Sequence, residues 1–369
     1  MSPTPPPAQV PEPSPDAPGG GTVTVAPVRG LGEIREGDDL AALLAAALRP
    51  LAPRDGDVLC LSTKVVSKAL GLRVDPARRE QAIRAAAVRT VARRLHTRQV
   101  TAVVQIPSGP VMAAAGVVSS NAPDGPLLLP EDPDACAREL RDALTAHLGV
   151  ELGLLLTDTS SRIWRVGVGD IALGAAGVAA LQDLHGALDA DGRELTVTVR
   201  NLADELAAAA DLVKGKASGI PAALVRGVGG ATAGDVPARE LSRTGADDWF
   251  RRPSLESVWV ALGLSAEQEP IARMSPEPAA ERIARALQVA ALPRPGQAPS
   301  TATARSVLTG DADIPDAIVV EAAGASAAAL IDAATLAERL RTALGAESFG
   351  DELPEVPVLI VPDPEEDPR

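Results

Sequence analysis

A chain of 369 residues with 46% hydrophobic content is long enough for two domains, or one large domain with an appendage, around a sizeable core. Its 49 acidic against 35 basic residues give a net charge of −14, which argues against a nucleic-acid backbone as general partner. Cys60 and Cys136 are too few for a secreted disulfide framework, Met1 to Pro7 lacks the basic start and apolar core expected of a signal peptide, and no apolar run approaches the ~20 residues that span a bilayer. The expectation is a cytoplasmic protein that engages neither membrane nor nucleic acid.

In chain order, residues 1–21 are rich in Pro, Ser and Gly and read as a disordered tail. Val23 to Val28 is strand-like, and Asp38 or Asp39 caps a helix that begins at the Ala-Leu repeats. Asp57 to Ser62 reads as a strand running into Thr63 to Lys68. An Arg-rich helix is expected over 79–95, a strand over 100–106, a helix over 133–148 and a buried strand over 151–156. After it, Thr157 to Asp170 is expected to open into a polar loop. Leu195 to Val199 reads as a strand, Ala203 to Val213 as an Ala-rich helix, and Ala222 to Gly227 as a closing strand.

This alternation points to an α+β, mixed α/β architecture for residues 22–250. Residues 251–369 read as a small appended α/β domain. Helices are expected there at 278–292 and 326–344, a Pro/Gly/Ser/Thr-rich linker at 293–304, and strands at Ala317 to Val320 and Val356 to Val361.

The Thr157 to Asp170 stretch offers two kinds of chemistry at once. Asp158 and Thr159 supply the carboxylate and hydroxyl oxygens that a hard divalent cation takes. Arg162 and Arg165 supply guanidinium groups that pair bidentately with phosphate or carboxylate. Downstream, Lys214-Gly215-Lys216-Ala217-Ser218-Gly219 joins lysines to glycines that permit close approach to a ligand.

Six separated motifs, in this order, resemble the coenzyme F420-0:L-glutamate ligase family. They are Gly30-Leu31-Gly32-Glu33 and its continuation to Leu40, Ser62 to Gly71, Val111 to Val117, Ser120-Asn121, Thr157 to Asp170, and Asp204 to Gly227. The resemblance covers about residues 23–250. It implies a two-lobed core with mixed sheets, a homodimer, and GTP-dependent addition of L-glutamate to the lactyl carboxylate of the deazaflavin precursor F420-0, then to the growing γ-glutamyl tail. Passing a γ-phosphoryl group to an unreactive carboxylate gives an acyl phosphate that an amine can attack, and the triphosphate charge must be neutralised meanwhile.

Carried onto this chain, the resemblance implies metal ligation, by Mg2+ or Mn2+ with K+ as a further candidate, at Asp158 and Thr159. It implies nucleotide contacts at Gly30, Leu31, Gly32, Glu33, Thr63, Lys64, Lys68, Asn121, Lys214, Gly215, Ser218 and Gly219. Arg162, Arg165 and Lys216 are the candidate catalytic residues, with Lys216 standing where some relatives place a metal-binding Gln. Longer relatives append a flavin-binding nitroreductase-like domain. Here Trp249-Phe250-Arg251-Arg252 begins in that style, but about half the needed length remains, so an appendage without FMN is expected.

The chain also departs from the pattern. Val118 stands where the family has a metal-binding Asp, Pro107-Ser108 where an Arg-His pair is common, Leu70 where an acid is usual, Asp191 for an aromatic, and Ser160-Ser161 for Phe-Gly. Two function classes therefore stand side by side: an active ligase, and a catalytically impaired homologue that binds nucleotide or deazaflavin as a partner or regulator. Val118 is the residue that divides them.

Overall fold

The computed structural model describes residues 21–96, 98–117, 119–120, 122–196, 198–244, 255–265, 267–273, 277–308, 313–348 and 352–362. Val118, Asn121, the tail before Gly21 and Trp249 to Arg252 lie outside the described residues. The protein is α+β, with eight helices and four sheets among the described residues.

The chain begins β1 Thr24–Val28, α1 Leu40–Leu48, β2 Val58–Ser62, α2 Thr63–Ala69, α3 Arg79–Ala85, β3 Arg89–His96, β4 Gln99–Gln105 and β5 Val111–Ala113. It continues α4 Pro133–Leu148, β6 Gly153–Ser161, β7 Val168–Ala176, β8 Leu181–Asp183, β9 Val199–Asn201, α5 Leu202–Lys214 and β10 Ala222–Arg226. The remainder is α6 Leu255–Ala261, β11 Ala272–Arg273, α7 Ala279–Ala291, β12 Thr303–Val307, β13 Ala317–Glu321, α8 Ala327–Glu347 and β14 Val358–Val361. The chain divides into two compact units, Met1–Arg89 with Val104–Thr244, and Thr90–Val103 with Gly245–Arg369.

The first unit is built on a five-stranded sheet in the order β1-β10-β2-β6-β7. Only β2 and β6 run parallel, with Ser62 opposite Thr157; the other neighbours are antiparallel. Strand alternation divides the aliphatic residues between the two faces. Leu59, Leu61, Leu154, Leu156 and Leu224 pack with Leu44 and Leu48 of α1 and Leu140 and Leu144 of α4. Val58, Cys60, Leu155, Ala223 and Val225 pack with Leu202, Leu206 and Ala210 of α5. Both faces are covered, so β2 and β6 read as continuous apolar runs. Side-chain caps fix the helix starts: Asp39 accepts from Ala42 N, Asp132 from Ala135 N and Asn201 from Asp204 N.

Three expectations are corrected. The helix expected over 79–95 stops at Ala85, and Arg89–His96 is strand β3, which has β4 on one side and, at Arg94 and Leu95, β11 on the other; β-branched Thr90 and Val91 favour that extended state. The strand expected at Leu195 to Val199 begins only at Val199, where it pairs with β8. The polar loop expected from Thr157 is instead a hairpin: β6 runs on to Ser161, turns, and returns as β7, with a bulge between Leu156 and Thr157.

In the second unit β12, β13 and β14 form a sheet in that order, and helices α7 and α8 bury Ile283, Val289, Leu336 and Leu340 with Ile318 and Val320 of β13. Trp259 of α6 completes that core. Arg285 bridges Glu277 and Glu347 at 2.6 and 2.7 Å. Arg94 of β3 pairs with buried Glu256 of α6.

Leu155 is fully buried at the centre of the α5 face. Leu155→Ala should cost about 2–5 kcal/mol through lost transfer energy and a cavity. Chemical denaturation checks it, and a loss under ~1 kcal/mol would mean that this face is not the core.

Candidate functional site

The parts of the site meet at one end of the five-stranded sheet, where β2 ends beside Thr157 and β6 runs on past it. Thr63, the first residue of α2, donates its hydroxyl to the Thr157 carbonyl at 3.1 Å, which ties the start of α2 to β6. The segment after β1 reaches the same place, because the Gly37 amide donates to the Ala69 carbonyl and Glu33 pairs with buried Lys68. Gly30 and Gly32 have φ of +88° and +66° and open space where a Cβ would stand, so their backbone is accessible to a ligand.

Adjacent residues of β6 project to opposite faces. On the α5 face, Thr157 and Thr159 donate their hydroxyls to the two oxygens of Asp170 on β7, at 3.1 and 3.0 Å. Lys214, at the end of α5, places its ammonium 2.6 Å from Asp170 and 2.7 Å from the Thr157 hydroxyl. Lys216 lies 3.0 Å from Asp170, 2.8 Å from the Thr159 hydroxyl and 2.8 Å from Asp211. Burial alone would raise the Asp170 pKa, but the two lysines outweigh it and hold the carboxylate below its ordinary value. Lys216, by contrast, is raised: its two carboxylate partners outweigh partial desolvation.

Asp158 projects from the other face, where Lys64, Ser67 and Gly116 line a narrow cleft with it. Burial pushes Asp158 up to about 6, against the lowering pull of the Thr159 amide and Lys64. Lys64 is pushed down by the same burial and donates to the Ser120 carbonyl at 2.9 Å.

The structure thus brings together Gly30 to Glu33, Thr63, Lys64, Lys68, Asp158, Thr159 and the 214–219 turn. Gly219 keeps φ +69° with open space beside it, and Ser218 donates its hydroxyl to the Lys214 carbonyl, closing that turn. Lys214 is a buried partner of Asp170, with 4% of its side chain exposed. Arg162 and Arg165 occupy the exposed β6–β7 turn. The residue that sequence reasoning passed over is Asp170, the acceptor at the centre. A signal was present: a charged residue opening the apolar run Ile171 to Ala176.

Asp158 suits a single Mg2+ or Mn2+, since such ions are often held by one or two carboxylates with the substrate's phosphates supplying further ligands. The Thr159 side does not fit a second ion. Its oxygens already face ammonium groups, and no cluster of three His, Cys, Asp or Glu side chains forms among the described residues.

Residues 30–227 match the model of the F420-0:gamma-glutamyl ligase family. A coenzyme F420:L-glutamate ligase of Archaeoglobus fulgidus is 39% identical over 246 residues, 62% of this chain and 97% of the relative. Ligases of the same description from Methanopyrus kandleri and Haloarcula marismortui are 38% and 37% identical, over 62% and 64% of this chain and 98% and 95% of their own lengths.

Two outcomes test this geometry. Asp170→Asn leaves the buried Lys214 ammonium without its counter-charge and should lower stability by about 3–5 kcal/mol in chemical denaturation. Asp158 has a folded pKa near 6 against an ordinary 3.8, so its neutral form favours the fold. That stabilisation is complete below the ordinary value and is lost as pH rises through about 6. In metal-free buffer Asp158→Asn should therefore raise the melting temperature at pH 8, with the gain closing as pH falls toward 4. A gain independent of pH would contradict the assigned burial.

Proposed function

The chain belongs to the F420-0:gamma-glutamyl ligase family, and from that membership we propose that it joins L-glutamate to coenzyme F420-0 and extends the tail through γ-linked glutamates. The observation that carries this reading is the convergence, at one end of one sheet, of phosphate-accessible glycine backbone, three lysines, and a carboxylate next to a hydroxyl, drawn from residues 30–219.

In the proposed reaction GTP gives its γ-phosphoryl group to the substrate carboxylate. The oxygen–phosphorus bond to the leaving GDP breaks as the acyl phosphate forms. The neutral amine of glutamate attacks the acyl carbon, the amide forms, inorganic phosphate leaves and the amine gives up a proton. Gly30 to Glu33 and Thr63 would offer backbone and hydroxyl groups to the nucleotide, and Lys64 and Lys68 would face its phosphates as point charges. Asp158 would hold one Mg2+ or Mn2+, which supplies Lewis-acid polarisation of a phosphoryl oxygen. Arg162 and Arg165 would bind substrate anions from the hairpin turn. Lys214 keeps Asp170 ionised and the hairpin closed, so its role is positioning.

Association as a homodimer belongs to the same reading and is open to sedimentation analysis. The binding-only homologue is the second reading, favoured by the engagement of the Thr159 and Asp170 oxygens by lysines. One assay separates the two. The full chain is incubated with F420-0, L-glutamate and GTP in Mg2+ or Mn2+, and products are weighed by mass spectrometry. Ligase activity appears as gain of glutamyl units, and Lys64→Ala should reduce turnover at least tenfold at fixed GTP, as expected for a cation facing a transferring phosphoryl group. No mass gain together with GTP-dependent thermal stabilisation would select the binding-only reading.

A further inference from the structure

The β6–β7 turn carries an exposed apolar group that the proposed chemistry does not use. Ile163, Trp164, Val166 and Val168 are all exposed at one hairpin tip. The whole sequence holds three tryptophans, two phenylalanines and no tyrosine. Trp259 is fully buried in the second unit, whereas Trp164 is 73% exposed. Trp164 also sits at φ +55°, a left-handed conformation costing about 1–2 kcal/mol for a residue with a Cβ. A rare aromatic side chain is thus held outward, at a cost in both solvation and backbone.

Its surroundings specify what it can hold. Arg162 packs over Gly169, where any Cβ would stand 2.5 Å from the guanidinium, so a glycine in β7 makes room for that group. Gly169 projects opposite to its neighbour Asp170 on β7, so the guanidinium lies on the Asp158 face of the hairpin, the face of Lys64 and the cleft. From Asp158 to Ser161 the strand rises about 10 Å at ~3.3 Å per residue, and the tip lies beyond. An aromatic face, a cation and the reaction end of the sheet therefore follow one another along a single hairpin.

We propose that this tip is the seat of the planar ring of the substrate, with Trp164 stacked on the tricyclic deazaflavin and Arg162 paired with the anionic linker that leads to the reacting carboxylate. This rests on the ligase reading above and adds to it the place where the ring is read. The charge pattern matches a ligand that is flat and apolar at one end and anionic toward the other. A hairpin tip offering only apolar side chains would suit a second copy of the chain equally well; Arg162, two residues before Trp164 in the same turn, distinguishes the two.

Binding and turnover of the full chain test the proposal, using F420-0 and its neutral deazaflavin–polyol fragment as probes. Trp164→Ala should weaken F420-0 and the fragment alike by roughly tenfold, the size of effect that loss of a stacking aromatic produces, while the KM for GTP stays constant. Trp164→Phe should restore most of the affinity. Arg162→Gln should weaken F420-0 and leave the fragment unaffected. An active wild type whose Trp164→Ala variant holds F420-0 as tightly overturns the ring site. So does a variant that changes only oligomeric state, which would make the tip a self-association surface. A wild type that binds F420-0 through Trp164 yet ligates nothing upholds the ring site and removes the ligase reading instead.

Discussion

The arrangement of the site depends on one buried carboxylate. Asp170 has 6% of its side chain exposed, and an isolated charge at that depth would be costly enough to neutralise itself. It stays ionised because two hydroxyls and two ammonium groups point at it. These partners come from β6, the end of α5 and the turn after α5, so a single charge closes the hairpin against the helix. The requirement is mutual. Lys214 is equally buried and has no other acid within ion-pairing distance among the described residues, so the pair is stable only as a pair. Two threonines two residues apart can reach the same carboxylate only in an extended strand, and the continuation of β6 to Ser161 provides that.

How much of this was legible in the sequence depends on the range of the forces involved. Elements fixed by local rules were readable: an Asp-capped start of α1, at Asp38 or Asp39, the bounds of α4, the apolar runs of β2 and β6, and the Ala-rich α5. Elements fixed by pairing with distant chain were not. Arg89–His96 has the composition of a helix continuation, and only β4 and β11 make it a strand. The hairpin after Leu156 was hidden for a related reason. Thr, Asp and Ser resemble a loop because their polar side chains compete for backbone groups, but here those side chains are committed to Asp170, to Lys216 and to the cleft, which releases the backbone for the ladder.

The candidate residues were legible as a set, because their motifs occur in order, but their partners were not. Nothing in the spacing of Asp170 and Lys214 announces that they meet. Lys214 and Lys216 look equivalent in the sequence and differ by position alone: one faces the sheet with 4% of its side chain exposed, and the other stands at the rim with 54%.

That difference bears on the departures from the family pattern. The family resemblance implies an Asp where Val118 stands and, in some relatives, a Gln where Lys216 stands. Losing one negative charge and gaining one positive charge shifts the formal charge by +2, the charge of one divalent ion. Equal charge is not equal chemistry, however. A metal ion can exchange water ligands for phosphate oxygens, whereas an ammonium group has three protons to give. Lys216 has one hydroxyl and two carboxylate partners, Thr159, Asp170 and Asp211, so all three protons are accounted for. It can meet a phosphate only by releasing one of them. Asp211 is the one to yield, because its side chain is more exposed than that of Asp170 and water can take the place of the lost partner at lower cost. Lys214, sealed beneath it, has no such freedom, and this separates a lysine that can serve a ligand from one that serves the fold.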